Sequence, residues 1–365
     1  MSFGARARIR RSAIRHNLEV IQAKASGARV IAVIKANAYG HGMLPVAEAL
    51  SGADCLAVAR MEEARVLRRA GIDKPILLLG GVLEASDLDD AVALDLAIGV
   101  HNAEQVRWLE TRRQNPAVVW LKIDTGMNRL GFTPAEGSEA MQRLRGCVAD
   151  LRLMTHFSSA DDPRDPATNQ QLDRFLPILE GFAGDVGVAN SAGLFAWAET
   201  LERLAVICGR RRLWVRPGLA LYGISPFADG SGADLGLKPA MQLEATVMSV
   251  KKLAAGERVG YGGSWHAEKG TQLGIIAAGY GDGYTRCIPS GTPILLNGRR
   301  VAVVGRISMD LTAVDLGRDA TDQVGDLAIL WGDQLPVEEV ARYAGMIPYQ
   351  LVTGVLHREK CIVED

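Results

Sequence analysis

With 365 residues the chain exceeds one ordinary core and predicts two domains, or one large barrel with an appendage. Its 48% hydrophobic and 23% charged residues are those of a soluble globular protein, and a formal net charge of −1 leaves no electrostatic footprint for nucleic acid or a membrane surface. No apolar run approaches the roughly 18 residues of a bilayer span, and the arginine-rich start is not a secretory signal, so the cytoplasm is the expected compartment.

The first dozen residues, with FGARARIR, read as a strand that could pair with either part of the chain. From 30 to about 220, short apolar and β-branched runs alternate with amphipathic segments whose apolar residues recur at three and four, as in EEARVLRRAG and NQQLDRFLPILEGF. The runs are 30–35, 55–59, 76–79, 96–100, 118–124, 151–156, 186–190 and 213–219. Eight such units are what a closed (β/α)8 barrel of the TIM type requires. An open doubly wound sheet stays possible, since periodicity does not show closure, although no dinucleotide fingerprint follows the first run. After 236 the pattern changes: MQLEATVMSVKKL, TQLGIIAAGY and DLAILWG follow one another with little helix. Asn297-Gly298 between ILL and RRVAVV is a type I′ hairpin signal, and EEVARYAG, over 338–345, is the one helix expected there. The expected organisation is α/β, a (β/α)8 barrel over 1–236 followed by a mainly-β C-terminal domain over 237–365, with the first dozen residues free to pair with the second.

The candidate chemistry begins at VIAVIKANAYGHG, residues 30–42. A lysine at the end of a buried strand has its stem in apolar surroundings, so Lys35 should lose basicity and could attack a carbonyl. Tyr39 follows at a spacing where a phenol could reach a phosphate oxygen, and the glycines bring backbone close to a ligand. A lysine that merely snorkels to solvent is the bland alternative. The carboxyl ends of the later barrel runs are also polar, and that is where barrels keep their chemistry. Lys122 and Asp124 lead to Arg129; then come His156, Asn190 with Ser191, and Arg216 ahead of Pro217-Gly218. Singly, each has a structural explanation: a satisfied core imidazole, half of an ion pair, or an N-cap for Ser191. Jointly, a lysine, a histidine and two arginines at one mouth are costly to desolvate without a ligand. An amine nucleophile, a hydroxyl with glycine turns and arginines facing a heteroaromatic ring suit pyridoxal 5′-phosphate. The five cysteines are scattered and form no CxxC pair, so no metal is expected.

These residues also carry a family resemblance. VIKANAYGHG resembles the cofactor-lysine motif of the alanine racemases, and LKIDTGMNRLG, MTHFSSADD, ANSAG, VRPGLALYG, GERVGYGG, AAGYGDGYTR, VGRISMD and PYQL resemble that family's other motifs in its order. The similarity spans nearly the whole chain. It implies interconversion of L- and D-alanine, for peptidoglycan supply or alanine breakdown, by a cytoplasmic homodimer with shared active sites. Lys35 would carry the cofactor and act as base on one face of the substrate. Tyr261, from the partner subunit's β domain, would be the base on the other. Arg216 would face the pyridine nitrogen, with His156 linking it to Tyr261, and Asn190 would stand beside the cofactor. Tyr39, Ser191, Tyr349 and the backbone of Gly218 and Leu219 would hold the phosphate. Arg129 would contact the cofactor's phenolic oxygen and the substrate, oriented by Lys122, which this family often carbamylates. The backbone of Met309, again from the partner, would receive the substrate carboxylate. Asp161, Tyr280, Arg286, Arg306 and Asp310 match residues around the entry corridor.

The physics of that set favours racemisation. An arginine does not readily give its proton to the ring nitrogen, so the ring is a weak electron sink and protonation at the wrong carbon is suppressed. Two bases on opposite faces then explain inversion. A tyrosine, titrating at roughly 10 when free, needs nearby positive charge to accept a proton, which His156 and Arg216 would supply. A broad-specificity or serine racemase, a barrel decarboxylase, a non-catalytic carrier of the same cofactor and a plain phosphate-binding barrel are the rival readings. Departures from the family pattern are VTGVLHREK after PYQL, where many members have arginine followed by Val-Pro, and Ser308 where some have cysteine.

Overall fold

Half-buried arginines alternate with buried Ala7 and Ile9, which makes β1 (Arg6–Arg10) a strand with one face in a core. In the computed structural model, which describes residues 4–355 and 360–365, the helix Arg11–Lys24 carries the chain from β1 to the barrel. The barrel strands are β2 (Arg29–Val33), β3 (Cys55–Val58), β4 (Ile76–Leu78), β5 (Leu96–Val100), β6 (Val118–Lys122), β7 (Asp150–Met154), β8 (Val186–Gly187) and β9 (Leu213–Val215). They pair in that order, all parallel, and β9 returns to β2. Closure is thus the fact that periodicity left open. Strands such as β3 and β4 are buried at every position, because side chains fill the barrel on one face and helices cover the other.

The second part is an antiparallel sheet built on β10 (Met241–Leu253), with the short ribbon of β11 (Arg258–Val259) and β12 (Trp265–His266) beside it. The remaining strands are β13 (Thr271–Ile276), β14 (Pro293–Leu296), β15 (Arg299–Val303), β16 (Thr312–Asp315), β17 (Leu327–Trp331) and β18 (Lys360–Glu364). Their order is β13-β16-β15-β14-β17-β10-β1-β18, and the far half of β10 also pairs with β13, so the sheet curls back on itself. The first strand of the chain therefore lies in the last sheet, antiparallel to β10 and parallel to β18. Asn297 and Gly298 turn from β14 to β15 with φ of 50° and 78°, both positive as a type I′ turn demands. One helical expectation needs correcting. Besides Val337–Ala344, the motif PYQLVT forms a second helix, Pro348–Thr353, whose proline sits at its first position where no N–H is needed. The altered stretch Leu356 to Glu359 lies outside the described residues.

Two buried polar side chains join the parts. Asn17 accepts from the Lys238 amide at 2.7 Å and donates to the carbonyls of Lys238 and Leu221. Glu338 accepts from the amides of Ser225 and Gly232, each at 2.8 Å, fixing the segment after β9 to the helix Val337–Ala344. Among the described residues no helix is long and apolar enough to cross a membrane.

Candidate active site

β2 stops at Val33, and the chain does not relax into an ordinary loop. Ala36, Asn37, Ala38 and Tyr39 all have φ between 52° and 54°, a single left-handed helical turn made without glycine. Each such residue costs roughly 1–2 kcal/mol against the right-handed form, so the turn must be held from outside. Asn37 Oδ1 accepts the Met43 amide at 2.8 Å, and His41 Nδ1 donates to the Tyr39 carbonyl at 2.9 Å. Gly40, at φ 81°, lies so close to the Val352 carbonyl that any side chain there would collide with it, which seats the turn on the helix Pro348–Thr353. The turn aims Lys35 and Tyr39 into the barrel mouth, and the seat brings Tyr349 to 5.8 Å from the Tyr39 ring.

A cavity of about 370 Å³ opens at the carboxyl ends of the strands. It brings together every barrel residue singled out for the cofactor: Lys35 and Tyr39; Lys122 and Arg129; His156; Asn190 and Ser191; Arg216, Gly218 and Leu219. Tyr349 joins them from the second part. Ser191 does not cap its helix as the structural alternative supposed. Asn190 does, accepting the Gly193 amide at 2.9 Å, and Ser191 Oγ instead accepts the amides of Gly218 and Ala220. A Cβ on Gly218 would stand 2.5 Å from the Tyr39 phenol, so glycine there lets three hydroxyl-bearing residues and backbone share one corner. Asp124 accepts the amides of Gly126, Asn128 and Arg129, which fixes the loop that carries Arg129.

The charges are lopsided. Burial, then Arg129, pulls the Lys35 ammonium below its usual range, and only Glu63 pushes it back. Burial, then Arg216 and Arg129, brings Lys122 down to about 8. Arg216 is buried and brought down to about 10, so it keeps its proton at neutral pH; one of its amino groups donates to the Thr155 carbonyl, and the other, packed over Gly187, has no partner. An orphaned buried guanidinium, an amine of lowered basicity and a hydroxyl corner fit a planar, anionic, aldehyde-bearing group with a ring nitrogen. His156 departs from expectation. Burial, then Arg216, Lys122, Arg129 and Lys35, bring it down to about 3, so it is uncharged at neutral pH and the positive charge around it comes from those neighbours.

The remaining predicted residues lie elsewhere. Asp161 lines an adjoining cavity of about 640 Å³ that shares His156, Asn190, Leu219 and Tyr349 with the first. Tyr261 and Met309, 66% and 53% exposed, line neither cavity. They sit on one rim of the second part: Gly262 packs against Arg306, and the amides of Tyr280 and Gly281 bond the carbonyls of Ser308 and Met309. Arg286, Arg306 and Asp310 are exposed too.

Sequence reasoning missed the residues that hold the others in place. Gln171 is buried on the helix Ala167–Leu179, donating to the His156 carbonyl at 2.9 Å and accepting the Ser158 amide. His41 and Glu63 brace the left-handed turn. Only the glycines flanking His41 hinted at it. Burial brings His41 from 6.5 down to about 4, so in this window the unfolded chain binds a proton that the native state refuses. The associated stability, about 3 kcal/mol, is whole above pH 6.5 and lost as the pH falls through 4. His41→Asn keeps a donor for the Tyr39 carbonyl but cannot titrate. Urea unfolding should show wild type losing its lead over this variant on acidification, and a constant gap would contradict the assignment.

Two family models cover the chain: "Alanine racemase, N-terminal domain" over residues 9–226 and "Alanine racemase, C-terminal domain" over 240–363. The alanine racemase of Yersinia pestis bv. Antiqua (strain Angola) is 48% identical over 358 residues, 97% of each chain, and that of Aliivibrio salmonicida (strain LFI1238) is 47% identical over the same shares. Among solved structures, the biosynthetic alanine racemase from Pseudomonas aeruginosa superposes with a TM-score of 0.93 at 41% identity, covering 100% of both chains. The alanine racemase from Acinetobacter baumannii gives 0.93 at 33% identity, covering 99% of this chain and 100% of its own. Matched along nearly its whole length in sequence and in fold, the chain belongs to the alanine racemase family.

Proposed function

We propose that the barrel-mouth cavity interconverts L- and D-alanine with pyridoxal 5′-phosphate, the cofactor on which this family depends. The observation that carries the reading is the pairing, in one cavity, of a lysine of lowered basicity with a buried guanidinium one of whose amino groups has no partner. When bound, the cofactor supplies an aldehyde for an amine and a ring that takes up the electrons released at the α-carbon. Lys35 would hold the cofactor's aldehyde and move the α-proton on one face. Tyr39, Ser191, Tyr349 and the backbone of Gly218 and Leu219 hold the phosphate. Arg216, with one amino group unpartnered, would hold the ring nitrogen while keeping its own proton, which would limit the ring as a sink. Asn190 stands beside it, and Arg129 holds the phenolic oxygen and the substrate carboxylate. Lys122, much of it neutral near its pKa of about 8, has the free amine that carbamylation needs, and the resulting anion would pair with Arg129.

Tyr261 moves the α-proton on the opposite face, with Met309 offering its amide to the carboxylate. Both are exposed on a rim away from their own chain's cavity, so we propose that they serve the cavity of a second copy in a homodimer. His156, being neutral, relays the Arg216 charge toward Tyr261 rather than adding its own. Asp161, Tyr280, Arg286, Arg306 and Asp310 border the way in. We further propose that the chain divides near 236, with residues 1–236 forming the cofactor-binding barrel apart from β1, and that it works in the cytoplasm. Cys55, Cys147, Cys208 and Cys287 stand as thiols, in keeping with a reducing compartment.

The test is direct. Purified chain given the cofactor in deuterium oxide should convert either alanine enantiomer to the racemate with deuterium at the α-carbon. Absence of α-exchange with both enantiomers would refute the reading.

A further inference from the structure

Glu63 lies in none of the motifs that carry the family resemblance. It stands in the first turn of the helix Met61–Arg69, after β3, and its carboxylate is occupied on both sides. Oε2 accepts the amides of Ala59 at 2.8 Å and Arg60 at 3.1 Å, the ordinary work of an acid at a helix start. Oε1 reaches across to the neighbouring strand's exit and accepts the Ala36 amide at 2.6 Å. Ala36 directly follows Lys35 and is the first residue of the left-handed turn.

We propose that Glu63 is a positioning residue for the racemisation: it straps the left-handed turn at its first amide and faces Lys35 with a carboxylate. The inference rests on the reading of Lys35 given above. Two physical arguments support it. The first N–H groups of any helical turn have no acceptor within the turn, so this one must be met from outside or left unpaired. A carboxylate is acceptor-only and can take N–H groups on both oxygens at once, whereas a glutamine would turn its NH2 against at least one of the three amides. Among the described residues, the charged groups that act on Lys35 are Arg129, from the loop after β6, and Glu63, from the other side. Lys122 and His156, and through them Arg216, share the same field. Asp124, on the loop after β6, raises Lys122 in that field, but of the groups acting on Lys35 itself Glu63 is the anion.

The strap and the charge are separable. Glu63→Gln removes the charge and keeps one acceptor. Glu63→Asp keeps the charge but is one methylene short of Ala36. In the full-length chain freed of cofactor, limiting acetic anhydride labels Lys35 according to its free-amine fraction, read by peptide mass across pH. Glu63→Gln should move the labelling midpoint down by roughly half a unit or more, while Glu63→Asp leaves it near wild type. In the loaded enzyme both variants should lose roughly tenfold or more in kcat, with KM for alanine little changed and circular dichroism that of wild type. Glu62→Gln, on the exposed neighbour, should change neither readout. An unmoved midpoint in Glu63→Gln overturns the charge role, and wild-type kcat in Glu63→Asp overturns the strap. Should Glu63→Gln not fold, the Asp variant still decides the strap by its kcat, and Glu63→Ala decides the charge by its labelling midpoint. If alanine is not the substrate at all, the wild type is silent in the activity assay while the labelling midpoint still reports on Glu63, so the two failures are told apart.

Discussion

Lys35→Ala is expected to abolish both the visible colour of the loaded protein and alanine racemisation, with kcat falling roughly a thousandfold or more. The size follows from two duties falling on one amine. In the proposed function the side chain is the cavity's nucleophile for an aldehyde and also the base on one face of the α-carbon. Its ammonium is destabilised by burial and by Arg129, which favours the free amine that attacks an aldehyde. Lys122, the other lysine of the cavity, stands on β6 among Arg129 and Arg216 and is not expected to take over from a different strand end. Borohydride treatment of the wild type should fix the cofactor to the peptide containing Lys35, and that adduct should vanish in the variant. A coloured, active Lys35→Ala protein would leave the proposed function without its centre.

Tyr261→Phe should produce the second large loss, and an asymmetric one. Exchange of the α-proton from one enantiomer should fall by roughly 10²–10⁴-fold, the range of a lost general base, while exchange from the other and cofactor binding persist. The geometry adds a sharper form of this test. Tyr261 is 66% exposed and lines no cavity of its own chain. If the site takes Lys35 from one copy and Tyr261 from the other, a mixed dimer of the Lys35→Ala and Tyr261→Phe chains holds one intact site and one doubly crippled site. Random reassortment of two inactive proteins should therefore restore about a quarter of wild-type activity, since about half of the dimers are mixed and each has one working site of two. No recovery after co-refolding would mean that Tyr261 serves its own chain, and an active Tyr261→Phe protein before mixing would mean that it serves no catalytic purpose.

The second reading of His156 changes what such experiments should find at low pH. A histidine at about 3 stays neutral through the working range. Racemisation should thus show no loss near the ordinary histidine pKa that His156→Asn removes. The first of the cations acting on His156 is Arg216, which Gly187 admits by lacking a side chain, since a Cβ there would lie 2.8 Å from the guanidinium.

The barrel strands were legible because a strand buried on both faces must be a continuous apolar run, and 30–35 or 76–79 can be little else. The Asn297-Gly298 hairpin was legible because few residue pairs tolerate two positive φ angles in succession. The cofactor cluster was legible because strand ends in a barrel converge on one mouth whatever the loops do, so Lys35, Lys122, His156, Ser191 and Arg216 could be read in order. The left-handed turn was not. Asn37 tolerates positive φ and marks a break, but Ala36 and Ala38 carry no signal for it, and the run of four is held by Glu63, His41 and Val352, distant or non-adjacent in sequence. Nor could sequence choose between Glu62 and Glu63, neighbours of one type on one helix, of which only the second turns toward β2. Local pattern by itself determined where the strands run and which chemical groups reach the mouth, for that depends on periodicity and on what a residue can bury. Tertiary structure decided barrel closure, the partnership of the first strand with the last sheet, the neutrality of His156 and the strapping of Lys35, because each is set by contacts between segments whose separation along the chain leaves no trace in either one alone.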